Sequence, residues 1–152
     1  METAKIIDKL NEILRHEWTG VAQYSQASFV VTGLWREVYS AMFLDSAKES
    51  FVHAQLIGDK IVALGGVPTI ERNAIKQSND VQEMLEHGLA FESGAVNLYN
   101  EALRLSEGDR ALEVYLEDIL KQEQQGVDDL TKLLRDHAVA AGQKQSVASK
   151  AG

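Results

Sequence analysis

From Leu34 to Ile57 the chain contains neither Pro nor Gly, and apolar residues continue at helical spacing until Gly65-Gly66-Val67-Pro68. Residues three and four apart share a helix face. That face reads Tyr39, Met42/Phe43, Ser46, Glu49/Ser50, His53, Leu56/Ile57, Ile61 and Leu64, so it is apolar at both ends and rich in metal-ligating atoms in the middle. A helix from about Arg36 to Leu64 must bury its two ends and find partners for its centre. Gly65-Gly66 supplies a C-terminal stop, with Pro68 just beyond it.

Three further segments repeat the pattern. From Thr3, a candidate N-cap, the stripe Ile6, Leu10, Ile13/Leu14, Val21, Tyr24, Ala27/Ser28 and Val31 predicts a helix over about residues 4–32, roughly 40 Å long, with Glu17 in mid-stripe and Gly33 as the stop. Ser78 or Asn79 can cap a third helix, with Asp80 and Glu83 in its first turn. Its stripe of Val81, Leu85, Gly88/Leu89, Glu92, Ala95/Val96, Tyr99 and Ala102/Leu103 again holds one carboxylate near the middle. After the turn at Ser106-Glu107-Gly108-Asp109, Asp109 can cap a fourth helix to about His137, with Leu112, Leu116, Ile119, Glu123, Gly126/Val127, Leu130 and Leu133/Leu134 on one face. The segment from Gly66 to Ser78 has no clear period. It is too long for a tight turn and suits a crossover along a bundle.

The expected fold is therefore all-α, an antiparallel four-helix bundle with a long crossover between helices 2 and 3. It spans residues 1–137 and is followed by a mobile or short-helical tail over 138–152. The length suits one domain with a substantial core. The single Pro and the Ala-, Leu-, Glu-, Lys- and Gln-rich runs favour helix over sheet. Without Cys there is no disulfide or thiolate site, which leaves carboxylates and imidazoles as ligands. No apolar run approaches membrane-spanning length and the start lacks a basic-then-apolar leader, so a cytoplasmic protein with no membrane partner is expected. A net charge of −8 weighs against binding driven by phosphate neutralisation, and Lys144 and Lys150 are thin support for a nucleic-acid site in the tail.

The acids and the imidazole at the middle of each stripe carry the functional signal. Unpaired carboxylates in a bundle core each cost several kcal/mol, so a group of them needs cations or protons. A helical Glu is most often solvated, and a lone core His is most often a hydrogen-bonded packing residue. The coincidence of level on four helices shifts the balance toward a shared divalent-metal site of Glu17, His53, Glu92 and Glu123. Glu49, one turn before His53, is a further candidate ligand. Hard oxygens with one imidazole suit iron, Mn or Zn. Tyr24 and Tyr99 lie seven residues beyond Glu17 and Glu92, two turns along the same faces, and either could donate to a ligand carboxylate. His16, His87 and His137 lie off the stripes or at their ends and read as surface groups.

Leu14-Arg15-His16-Glu17 with Val21-Ala22-Gln23-Tyr24, then His53-Ala54 with Ile61-Val62-Ala63-Leu64-Gly65-Gly66-Val67-Pro68, resembles the ferritin superfamily, closest to bacterioferritins and Dps-like proteins. Met84-Leu85 with Leu89-Ala90-Phe91-Glu92, and Ile119-Leu120 with Glu123 and Asp128-Asp129-Leu130, continue the resemblance to about residue 135. The family's di-iron centre takes one Glu from helix 1, Glu-x-x-His from helix 2, one Glu from helix 3 and Glu-x-x-His from helix 4. Carried over, Glu17 and Glu92 are the single acids. The second motif reads Ser50-Phe51-Val52-His53 and the fourth Glu123-Gln124-Gln125-Gly126, so each is half missing. Phe51 stands where bacterioferritins place the haem-ligating Met, and haem is not expected.

The resemblance implies a homo-oligomer that binds iron or another divalent metal, with a role in iron storage or detoxification. Its incomplete motifs imply one well-held ion or a weak asymmetric pair, and weak or absent ferroxidase activity. Trp18, Phe29, Leu34 and Trp35 are expected on outer faces as subunit contacts. Two alternatives are a non-catalytic structural member of the superfamily and a Dps-like protein that protects DNA through its tail. A third keeps oxidase activity, with Glu49 and Gln124 or Gln125 rebuilding a second site.

Overall fold

The computed structural model describes the backbone of residues 2–151 and the side chains of residues 2–135. Four helices follow one another: α1 Thr3–Val30, α2 Arg36–Ala63, α3 Val81–Leu105 and α4 Arg110–Ala151. α4 continues past the expected end at His137 to Ala151, and the side chains of the tail expected over 138–152 lie outside the described residues. No strand occurs among the described residues, and the fold is the all-α bundle that the four stripes imply.

The ends of the helices show why the elements stop where they do. Gly65 has φ +89°, its N–H donates to Val62 O at 3.0 Å, and the N–H of Gly66 donates to Ile61 O at 2.9 Å. This paired closure of the last turn needs the left-handed conformation that Gly adopts without strain. At the start of α3 the cap is Asp80, whose carboxylate accepts from the Glu83 N–H at 3.0 Å; Ser78 instead accepts from the Asp80 N–H. The helix thus begins one residue later than Asn79 would allow, because the carboxylate reaches the third N–H of the turn. Asp109 caps α4 as expected, accepting from Leu112 N at 3.1 Å. Thr3 lies inside α1, whose cap position is Glu2 without a side-chain bond.

α1 packs along α2, α3 along α4, and α1 along α3; the backbones of α2 and α4 stand further apart. The crossover over residues 64–80 is pinned to α1 along its length. Thr69 N–H donates to Asn11 Oδ1, Asn73 N–H to Thr19 Oγ1 and Lys76 N–H to Gln23 Oε1, each at 2.9 Å. These bonds satisfy crossover backbone groups that regular structure would otherwise satisfy.

Two apolar clusters fill the bundle. One is built on Ile6, Leu10, Ile13, Leu14, Ile57, Ile61, Leu116 and Ile119, the other on Tyr24, Val31, Phe43, Met84, Leu85 and Leu130. Between them lie the buried polar side chains Glu17, Ser50, His53, Glu92 and Glu123. The core is thus apolar, polar, apolar along the bundle axis, in agreement with the stripes.

Candidate metal centre

Glu17 from α1, His53 from α2 and Glu123 from α4 each offer one ligand atom, and those atoms lie within 4.8 Å of one another. All three residues are at most 2% exposed. His53 Nδ1 is 2.8 Å from Glu123 Oε1 and 3.7 Å from Glu17 Oε1, and its Nε2 is 2.9 Å from Gln122 Oε1. With an acceptor at both ring nitrogens, the imidazole is held as a cation. Burial opposes that charge, but the hydrogen bonds and charges of Glu123 and Glu17 outweigh it and lift the pKa to about 11.

Glu92 comes from α3 and is 8% exposed. Burial, followed by the adjacent Glu123, pushes its carboxyl up to about 9, so it holds a proton at neutral pH. Glu123 is raised to about 7 by burial and by the charge of Glu17, against the opposing hydrogen bond from His53. Glu17 Oε2 and Glu92 Oε2 are buried with no hydrogen-bond donor among the described residues. Once the Glu92 carboxyl and the ligating His53 nitrogen give up their protons, these oxygens and the imidazole form a donor set that a divalent cation satisfies, so metal binding there is coupled to proton release.

The tyrosines cross between the hairpins. Tyr24, on α1, donates to Glu92 Oε1 at 2.7 Å, and Tyr99, on α3, donates to Glu17 Oε1 at 3.1 Å. Each phenol therefore orients the acid of the opposite hairpin. Burial is the main reason both phenols have pKa values well above 10.

Glu49 does not join the cluster. Its side chain is 49% exposed, and Oε1 stands 3.9 Å from His53 Nε2. The 100° turn per residue that puts Ser50 on the inner face leaves Glu49 at the edge of the α2–α4 seam. Burial is the first cause of its raised pKa.

The surroundings of Ser50 and Gly126 differ. Around Ser50, a Cβ on Gly20 would overlap both the Ser50 hydroxyl and the Phe91 ring, so α1 approaches closely and leaves no slack. Phe91 is itself held by a stacked His16 ring, centroids 4.1 Å apart, and by the edge of Tyr24. His16 is thus not the surface group expected: its Nε2 bonds Phe91 O at 2.9 Å, and burial lowers its pKa. Around Gly126, a Cβ would stand only 3.1 Å from Glu92 Cδ, so Glu92 leans over that position.

Gln122 was not singled out from the sequence. Its place immediately before Glu123, on the flank of α4 that turns toward α2, was the available signal. Trp18 also departs from expectation. The crossover covers it, with Nε1–H donating to Thr69 O at 3.0 Å, whereas Phe29, Leu34 and Trp35 are exposed.

Comparison with known proteins places this geometry. The family model described as "Ferritin-like domain" matches residues 7–138. A ferritin-like, di-iron-carboxylate protein structure from Bacillus anthracis superposes with TM-score 0.84 at 30% identity, over 87% of this chain and 96% of that one. A dodecameric thioferritin, the bacterioferritin-related protein from Bacteroides fragilis, superposes with TM-score 0.85 at 28% identity, over 94% and 92%. A nutrient stress-induced DNA-binding protein from Nostoc sp. is 29% identical over 92% of this chain and 83% of its own length.

Proposed function

The chain belongs to the ferritin-like domain family, and on that premise we propose that it binds iron, or a similar divalent ion such as Mn or Zn, at Glu17, His53 and Glu123, with Glu92 as a third carboxylate. The observation that carries this reading is the convergence of three buried ligand atoms within 4.8 Å beside two carboxylate oxygens that lack a donor. The bound ion would supply positive charge to that group. Tyr24 and Tyr99 hold the outer acids in place, and Gln122 fixes the orientation of the His53 ring.

The role is iron sequestration with weak or absent ferroxidase activity. One Glu and one His of the family's paired motifs are missing, and the surviving donors gather asymmetrically around His53. The test is metal uptake by the purified full-length chain, read by elemental analysis and by thermal unfolding with and without ion. Stoichiometric uptake with metal-dependent stabilisation, abolished in Glu17→Ala, supports the proposal. Absence of uptake, with Glu17→Ala raising stability, overturns it in favour of a non-catalytic structural protein.

The chain forms a homo-oligomer in this reading, supported by the exposed Phe29, Leu34, Trp35, Val38, Val67 and Ile70 and by its likeness to the dodecameric thioferritin. Among the described residues no helix is long and apolar enough to cross a membrane. A second reading, DNA protection, is favoured by likeness to the DNA-binding protein of Nostoc. Retention of duplex DNA at moderate salt, lost on deleting residues 138–152, would support it. No retention by the intact chain would remove it.

A further inference from the structure

A cavity of about 220 Å³ opens between α1, the crossover and α3, lined among others by His16, Gln23, Asn73, Lys76, His87 and Phe91. The stacked rings of His16 and Phe91 form its inner wall, and the exposed Asn73 and Lys76 stand at its mouth. No carboxylate lines it. In a chain of net charge −8 that is a local exception. The cavity at the bundle end holds Asp80, and the groove over α3 and α4 holds Glu107, Glu113 and Glu117.

Two groups in this space have donors to spare. Gln23 is only 7% exposed, and its Oε1 accepts from the Lys76 N–H at 2.9 Å. That bond fixes which end of the amide meets the crossover backbone. The NH2 end makes no hydrogen bond among the described residues and is left to the cavity that Gln23 lines. Lys76 is the second group. The Lys and Arg ion pairs among the described residues are made by Lys5, Lys9, Arg15 and Arg110, and Lys76 takes part in none. His87 adds a third polar edge, its Nε2 standing 3.6 Å from Oε1 of Glu83, a carboxylate outside the lining.

We propose that this cavity is an oxoanion site, separate from the metal centre and suited to a small tetrahedral ion such as inorganic phosphate. The oxygens of such an ion accept hydrogen bonds, and the cavity supplies donors, an amide at depth and an ammonium at the mouth. Lys serves phosphate as a point charge, through charge-assisted hydrogen bonds. A cation would meet Lys76 and no carboxylate, and an apolar ligand would leave the Gln23 amide unpaired. The volume holds a tetrahedral ion with a few waters. Gln23 lies deeper than a phosphate flanked by sugars in a duplex can reach, which favours a free ion. The crossover thereby gains a use beyond connection, because the side chain that pins it to α1 also faces the ion. None of these residues is a proposed metal ligand, so the inference stands apart from the metal reading.

The test is titration of the chelator-treated, full-length protein with inorganic phosphate, read by calorimetry. Saturable binding of one phosphate per chain is expected. Lys76→Gln, at an exposed position, should weaken it about tenfold, as loss of a hydrogen bond to a charged partner does. Gln23→Glu keeps an acceptor for the Lys76 N–H but sets a carboxylate oxygen where the NH2 group was, and should abolish binding. His53→Ala should leave phosphate affinity unchanged, and a short DNA duplex should not displace the ion. Absence of saturable binding, indifference to Lys76→Gln or Gln23→Glu, loss in His53→Ala, or displacement by the duplex each overturns the inference.

Discussion

Ser50 on the first helical hairpin and Gly126 on the second stand at matching levels of the proposed centre, and the space around them differs. In the first hairpin Gly20, Phe91 and His16 pack the position of Ser50 shut. In the second, the position of Gly126 is bridged on one side by Glu92 and open on the other into a cavity. The difference follows from which helices are neighbours. α1 and α2 run in close backbone contact, so a small residue there draws the elements together, whereas α2 and α4 stand further apart and cannot close the gap. Interiors resist voids where they can collapse, and keep them lined with polar groups where they cannot.

The largest effect comes from the proposed ligand that the first hairpin retains. His53→Ala removes the only imidazole of the cluster, and metal affinity should fall by about 100-fold or more, beyond what loss of a supporting group typically costs. At an ion concentration near 100 times the wild-type Kd, about 2.7 kcal/mol of ligand stabilisation disappears with it. Calorimetry and urea unfolding read both. Unchanged affinity would mean that the hairpins share no ion.

Restoring the missing groups tests the contrast directly. Ser50→Glu forces a longer side chain against Phe91 and Gly20 and should cost about 1–3 kcal/mol, as overpacking does. Gly126→His meets only the flexible end of Glu92 beside an open cavity, so it should cost less. Equal losses in urea unfolding would show that the two positions are equally closed.

Much of this was legible beforehand. The stripes place α1, α2 and α3 to within a few residues, because Gly65, Gly108 and the capping Asp80 and Asp109 are strong local signals, whereas α4 starts as expected and runs past His137 to Ala151. The level of Glu17, His53, Glu92 and Glu123 followed from their mid-stripe positions. What was not legible depends on contacts between helices. The flank that Glu49 occupies turns on the seam between α2 and α4, the burial of His16 on the Phe91 ring from α3, and the cover over Trp18 on the path of the crossover. None of these leaves a periodic trace within its own helix.

A smaller effect is the pH dependence of the metal-free protein. Glu92 and Glu123 are raised above 4.5 in the folded chain, to about 9 and about 7, so the folded form binds protons that the unfolded form has released. Their contribution to stability is complete below pH 4.5 and is lost as pH rises through those values. His53, raised from 6.5 to about 11, acts in the same direction between those limits. Metal-free protein should therefore be less stable at pH 9 than at pH 6, by about 1 kcal/mol or more, the equivalent of a shift of one pKa unit. Glu92→Gln should flatten the slope. A midpoint that rises with pH in metal-free protein would contradict the protonated Glu92.

The smallest effect separates the two tyrosines. Tyr99→Phe removes the donor to Glu17, a member of the three-atom cluster, and Tyr24→Phe removes the donor to Glu92, the acid at the open side. Each loss should cost about 1–2 kcal/mol in metal-free protein, the range for a hydrogen bond to a charged or strongly polar buried group. On adding ion the two should diverge. Glu17 is held by His53 and its neighbours once a cation is present, so Tyr99→Phe leaves affinity within a few-fold of wild type. Tyr24 is the phenol that aims Glu92, so Tyr24→Phe weakens binding about tenfold, as loss of an orienting partner does. If the order were reversed, the firmly held end of the site would lie in the second hairpin, and the asymmetry between Ser50 and Gly126 would have no bearing on where the ion sits.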